Sequence, residues 1–179
     1  MRIISGALKG RTFRVPPGFP SRPTTDFAKE GLFNILENNY DFNNLKVLDL
    51  CAGTGNLSFE FLSRGASSIT AVDKNGRVCS FLQKNAQGLQ LAAKLTVVNT
   101  DCLHFLERTV ESFDIIIADP PFDLPIHNTI SETVFHRNLL KPDGILIIEH
   151  GKRTVMDNAT NFNKTRNFGN VNFSFFTWP

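Results

Sequence analysis

The strongest constraint on this chain is a repeated alternation: short apolar runs rich in β-branched residues, each followed by polar or Gly-containing residues and then a helix-period stretch. "KVLDLC" precedes "AGTG" and "NLSFEFLSRG", and "SITAVD" precedes "GRVCSFLQKNAQGLQL". "LTVVNT" precedes "DCLHFLER", and "FDIIIAD" precedes "HNTISETVFHRNLL". Continuous apolar runs of this length read as strands covered on both faces. Such strands alternating with helices imply an α/β fold, a doubly wound, mostly parallel sheet with helices on both sides. "KPDG" reads as a turn into a further strand, "ILIIEH", and "KTRNFGNVNFSFFTW" as a closing antiparallel pair. Ahead of this core, "RIISGALKGRTFRVPP" has two β-capable arms around Gly-containing turn residues and is predicted to form a hairpin. After the Pro-rich loop "GFPSRP", "TTDFAKEGLFNILENN" opens with N-cap candidates and carries Phe27, Leu32, Phe33 and Leu36 at helical spacing. The expected organisation of the 179 residues is one domain, a β-hairpin extension over 1–20 and a Rossmann-like α/β core over 21–179.

Charge and cysteine usage narrow the setting. The formal net charge is only +2, but its distribution is uneven. Arg2, Lys9, Arg11, Arg14, Arg22 and Lys29 face only Asp26 and Glu30 in the opening segment, a surface suited to a polyanion or simply to solvent. Three widely spaced cysteines, with no C-x-x-C or Cys/His cluster, indicate neither a disulfide framework nor a metal site. With no signal-like start and no apolar run near the ~20 residues of a bilayer span, the chain is expected to be soluble and cytoplasmic.

Ligands of doubly wound sheets bind beyond the carboxyl ends of the strands. On this reading consecutive strands deliver Asp49, Asp73, Asp101 and Asp119 to one rim. A single acid there would be a turn or capping residue; four together repel unless they have a partner. Gly53 and Gly55 form a G-x-G, but Ser58 stands at the third glycine position of a dinucleotide fingerprint. Asp49 beside that loop would oppose a pyrophosphate, since unit charges about 4 Å apart interact by roughly 4 kcal/mol at an effective dielectric near 20. A ligand with a cationic head and no phosphate fits better, and S-adenosylmethionine has that character. Asp73, about 20 residues past the loop, is then placed for the ribose diol. Asp101 and the backbone of Cys102 are placed for the adenine edge.

The stretch "ADPPF" gives the rim its chemistry. Asp119 sets a carboxylate at the strand's mouth, and Pro120 and Pro121 remove two N–H donors and fix two φ angles. The result accepts hydrogen bonds only, with Phe122 beside it as a flat face. If the Asp119 carboxylate and the Pro120 carbonyl accept the hydrogens of an exocyclic base amine, its nitrogen can pyramidalise toward a methyl donor. Phe122 would stack the base outside its own stack.

Four segments in order, "RIISGALKGRTFRVP", "RPTTDFAKEGLFN", "VLDLCAGTGNLSFEFLSRGA" and "ADPPF", resemble the bacterial small-subunit ribosomal RNA guanine-N2 methyltransferases, within the Rossmann-like S-adenosylmethionine-dependent class. The resemblance implies cofactor contacts from Asp49, Cys51, Ala52, Gly53, Thr54, Gly55, Asp73, Lys74, Asp101 and Cys102. It implies catalysis at Asp119, Pro120, Pro121 and Phe122, and RNA contacts from Arg2, Lys9, Arg11, Arg14, Arg22 and Thr24. Ribosomal RNA, naked or in a ribosomal particle, is the implied partner of a monomeric enzyme. The chain departs from relatives at Cys51 (usually Phe), Phe27 (usually basic), Ser58 (usually Gly) and Asp73 (usually Glu). Asp rather than Asn before "PPF" leans toward guanine, whose edge offers N–H donors to a carboxylate. An adenine-N6 or protein-amide methyltransferase and a noncatalytic RNA-binding module remain the alternatives, and a nicotinamide oxidoreductase fits less well. The histidines make no motif, and His150 is expected to cap or lie at the surface. Cys51 and the remaining Phe residues read as packing.

Overall fold

The structure, a computed structural model, describes residues 1–20 and 24–179. The apolar runs form Lys46–Leu50 (β1), Ser68–Asp73 (β2), Leu95–Asn99 (β3), Phe113–Ala118 (β4) and Leu140–Gly151 (β5), followed by Phe162–Phe168 (β6) and Val171–Phe176 (β7). The helices are Asp26–Glu37 (α1), Asn56–Ser63 (α2), Gly76–Gly88 (α3), Cys102–Arg108 (α4) and His127–His136 (α5). The sheet order is β3-β2-β1-β4-β5-β7-β6. The first five strands are parallel, and β7 runs antiparallel to both β5 and β6. Chain order reverses between β1 and β4, which makes that pair the topological switch point.

Because side chains alternate along a strand, each strand feeds two cores. Val47, Ile115, Ile117, Ile145 and Ile147 join Leu32, Phe33, Phe59 and Leu82 on the side of α1, α2 and α3. Leu48, Leu50, Ile116 and Ile148 join Leu106, Ile130 and Val134 on the side of α4 and α5. The continuous apolar character of β4 is thereby explained: Ile115, Ile116 and Ile117 are all fully buried, on alternating sides.

Of three expectations the first is met and two need correction. The N-terminal arms form a short hairpin: Arg2 bridges Thr12, Ile3 N donates to Arg11 O, Gly10 N to Ile3 O, and Met1 and Phe13 exchange backbone hydrogen bonds at 2.9 and 3.1 Å. The hairpin is also docked on α2: Glu60 accepts the Ile4 and Ser5 N–H groups, and Ser63 O accepts from Ala7. Gly6 (φ +78°) allows this, since a Cβ there would lie 1.9 Å from Ser63 O. Ile3 and Phe13 are buried beneath, Phe13 stacked on Phe59 with ring centroids 5.0 Å apart. Second, "KPDG" lies within β5 as an irregularity between the Phe113–Leu140 and Ile115–Ile145 pairs, where Pro142 has no ladder N–H to donate. Third, Phe27 is not a core residue of α1; Ala28, Lys29, Leu32, Phe33 and Leu36 are buried, and Phe27 is 67% exposed. The period of α1 was legible, but the buried stripe is rotated by one to two residues from the aromatic that starts it.

Candidate active site

Beyond the carboxyl ends of β1, β2 and β4 lies a cavity of about 210 Å³. Thr24, Asp49, Cys51, Ala52, Gly53, Thr54, Asp73, Lys74, Asp101, Cys102, Asp119 and Pro121 all line it. Residues 70 positions apart in sequence, from Asp49 to Asp119, meet because β1 and β4 are paired neighbours.

The glycine loop is shaped by its own backbone and by Asp73. Cys51 (φ 60°), Gly53 (φ 53°) and Gly55 (φ 72°) all sit in the left-handed region. Gly55 has a second reason to lack a side chain, since a Cβ there would approach Leu82 to 2.4 Å and Phe59 to 2.9 Å. Asp73 Oδ2 accepts from Gly53 N at 3.0 Å and Oδ1 from Asn75 N at 2.8 Å. Each oxygen keeps a further lone pair, so the carboxylate can both hold the loop and accept from a diol. Asp101 caps α4, its Oδ1 accepting from Leu103 N at 2.9 Å and His104 N at 3.3 Å.

Asp49 is buried within β1 and accepts from Ser58 Oγ at 2.5 Å. The hydroxyl that replaces a fingerprint glycine therefore serves the carboxylate that argued against a phosphate. Burial pushes Asp49 up to about 7 despite that hydrogen bond. Asp119 is raised by burial and by the nearby Glu149 and Asp49 carboxyls. Glu149, at the end of β5, is pushed to about 7 by burial, against a hydrogen bond from Thr24 Oγ1 at 3.2 Å. Asp49, Asp119 and Glu149 end adjacent strands on one face, so burial and mutual repulsion raise all three. No Lys or Arg among the described residues forms an ion pair with any of the three. A cationic ligand in this cavity would relieve that repulsion.

Glu149 was missed in the sequence, though "ILIIEH" ends in an acid as "FDIIIAD" does. Asn56 was missed too: its Nδ2 donates to Thr24 O at 2.7 Å, and its Oδ1 accepts from Lys29 Nζ at 2.9 Å. Lys29, read as part of the basic surface, is fully buried; its Nζ donates to Arg2 O at 2.5 Å and lies 3.3 Å from Glu60 Oε2. His150 is buried rather than capping or superficial, which corrects its expected place. Its Nδ1 lies 3.0 Å from Gly151 O, which can only accept, so Nδ1 carries the proton and Nε2 accepts from Ser174 Oγ at 2.7 Å.

At the rim, Asp119 N donates to Leu50 O at 3.1 Å, which carries the β1–β4 pairing one residue further. Pro120 is buried; Pro121 is exposed and its carbonyl accepts from Leu124 N, closing a turn. Phe122, 46% exposed, stands over Gly151, where a Cβ would come within 3.1 Å of its ring. Phe122, Pro120 and Gly55 do not line the cavity itself. Lys9, Arg11 and Arg14 are exposed on the docked N-terminal segment, away from the cavity lining, and Arg11 closes a turn with Leu8. Arg2 is also outside it and pairs with Asp26 at 3.0 Å. Arg22 lies outside the described residues.

Known proteins resemble this chain along nearly its whole length. The family model described as Conserved hypothetical protein 95 matches residues 1–177. A protein of Escherichia coli K12 named Ribosomal RNA small subunit methyltransferase D is 36% identical over 149 residues, covering 83% of this chain and 71% of the relative. Its Haemophilus influenzae namesake is 34% identical over 155 residues, covering 85% and 79%. A solved Thermus thermophilus structure, of a protein named only as hypothetical, superposes with a TM-score of 0.86 over 99% of both chains. At 22% identity that last likeness speaks for the fold alone.

Proposed function

The chain belongs to the family described as Conserved hypothetical protein 95, and from that membership and the site we propose that it is an S-adenosylmethionine-dependent methyltransferase acting on the N2 amine of a guanine in small-subunit ribosomal RNA. The observation that carries the reading is the joining of a glycine loop held by Asp73 to the Asp119-Pro120-Pro121-Phe122 rim across the switch point. Relatives matched over more than four-fifths of this chain are named small-subunit ribosomal RNA methyltransferases.

The cavity suits the cofactor. Asp49 and Asp119 line it with raised pKa values, so a cationic ligand that favours their ionised forms is well matched, and the loop places Gly53 and Asp73 side by side. Asp73 and Lys74 would hold the ribose, Asp101 and Cys102 the adenine edge, and Asp49 with the Cys51–Gly55 loop the cationic amino-acid end. When bound, S-adenosylmethionine supplies an activated methyl group. Asp119 Oδ and Pro120 O accept the hydrogens of the guanine amine and orient its lone pair. Positive charge developing on the nitrogen is stabilised by Asp119, ionised in that state. Phe122, supported on Gly151, stacks the base. Lys9, Arg11, Arg14 and Arg22 hold phosphates, which position the RNA without reading its sequence. The enzyme acts as a monomer in the cytoplasm, on RNA alone or within a ribosomal particle. No helix among the described residues is long and apolar enough to cross a membrane.

Asp119→Ala tests the reading. Turnover is expected to fall by about a hundredfold to a thousandfold, as when one positioned transition-state partner is removed. S-adenosylhomocysteine affinity should change far less. Because the substitution removes one of three crowded carboxyls, the ligand-free variant should be at least as stable as wild type. Wild-type turnover in this variant would reduce "DPPF" to a turn.

A further inference from the structure

Phe122 is not the only aromatic ring presented at this end of the sheet. Gly151 of β5 pairs with Val171 of β7, and Val171 pairs with Phe168 of β6. These positions share one register level, and Val171 and Phe168 both pack on the α1 side of the sheet. Phe122 reaches the same level because Gly151 leaves room for its ring. At the other end Phe168 is clamped from below: a Cβ at Gly31 of α1 would meet its ring at 2.0 Å, and Phe173 lies 5.9 Å from it. Phe27 and Phe168 make a T-shaped pair, ring centroids 6.1 Å apart at 72°, and Phe27 is the more exposed of the two.

The row thus starts at the reaction rim and ends, past two strand spacings, on an aromatic whose supporting ring is fixed while it is itself 67% exposed. Along β6, Lys164 and Arg166 pair with Phe175 and Phe173 and so share the face of Phe168. Neither has an Asp or Glu ion-pair partner among the described residues. Exposed rings beside cations that lack a carboxylate partner, Lys164 lying over the Phe175 ring at 5.9 Å, match a single-stranded nucleic acid, in which bases stack on aromatics and phosphates meet cations. An apolar protein partner would leave the two cations without a counter-charge.

We propose that Phe27, supported by Phe168, forms a second base-stacking position that takes a nucleotide flanking the target in single-stranded RNA. It rests on the RNA methyltransferase reading and extends it, since the ring over Gly151 takes the target base and this position takes a neighbour. Lys164 and Arg166 contact the connecting phosphates.

The test compares wild type, Phe27→Ala and Phe27→Trp, each with S-adenosylhomocysteine, for binding of a fluorescent single-stranded oligoribonucleotide across a salt series. Phe27 is exposed, so all three should melt together. Phe27→Ala should bind about tenfold more weakly, the loss of one stacked base, with the slope of affinity against salt unchanged because no phosphate contact is removed. Phe27→Trp should restore affinity, and RNA should quench the introduced indole. Equal affinity of Phe27→Ala and wild type overturns the stacking position. So does self-association of wild type that Phe27→Ala abolishes without affecting RNA. Methyl transfer by wild type to guanine in ribosomal RNA is measured in parallel. Its presence beside a null Phe27 result refutes only the second position, and its absence overturns the functional reading and this extension together.

Discussion

Removing Glu60 should destabilise the protein more than removing the lysine it pairs with, although the two face each other across one buried ion pair. Both side chains are fully buried. Glu60 accepts from Ile4 N, Ser5 N and Arg64 Nε at 2.9–3.0 Å, besides its contact with Lys29. Glu60→Ala therefore strips the Lys29 ammonium of its counter-charge and two backbone donors of their acceptor. Breaking a buried pair from one side costs about 3–5 kcal/mol. In a chain of this size each kcal/mol shifts the melting point by roughly 2–4 °C, so a fall of about 8–16 °C is expected for a 4 kcal/mol loss. Lys29→Met leaves Glu60 with three donors and empties only Arg2 O and Asn56 Oδ1, a loss nearer 1–3 kcal/mol. Burial already lowers the Lys29 pKa, against the pull of Glu60. Without Glu60 it falls further, and the folded variant sheds that proton before the unfolded chain does. Stability of Glu60→Ala relative to wild type should thus recover as pH rises from 7 to 9. Urea unfolding of the variants at both pH values measures each quantity. A Glu60→Ala cost below 1 kcal/mol, or one no larger than that of Lys29→Met, would refute the reasoning.

The carboxyl cluster predicts two pH effects. Asp49 and Glu149 titrate near 7 in the folded protein, above their unfolded values. Their contribution is therefore complete below about pH 4 and lost as pH rises toward 7, so the ligand-free melting temperature should fall across that window and level off above it. Affinity for S-adenosylhomocysteine, whose ammonium needs an ionised partner, should rise with pH up to about 7 by as much as tenfold per unit, and a calorimetric titration with no such trend would count against Asp49 as its partner. Gly151→Ala should push the Phe122 ring from its seat and lower turnover while leaving cofactor affinity intact; unchanged turnover would show that the ring's seat is immaterial. Replacing Lys9, Arg11 and Arg14 by Ala should weaken RNA binding and flatten its salt dependence by roughly 0.7 in log–log slope per lost contact. Superimposed salt titrations of the triple variant and wild type would place the RNA elsewhere.

Local pattern determined the alternating strands and helices, and with them the sheet class. Apolar period and glycine placement act over a few residues and need no distant partner. The order of the rim residues was equally legible, because a parallel sheet delivers every strand end to one edge, and Asp49, Asp73 and Asp119 meet there. Only tertiary structure decided which charged and aromatic side chains face inward. Lys29 and Phe27 are two residues apart on one helix, yet the cation is buried and the ring exposed. Lys29 is inside because Glu60 and Asn56, brought from α2, satisfy its ammonium. Glu149 became part of the site because β5 lies beside β4, and Thr24 reaches it from 125 positions away. His150 is buried because Ser174 of β7 meets its ring. Burying a polar group without a partner is costly, and partners this far along the chain are supplied by the fold rather than by the local sequence.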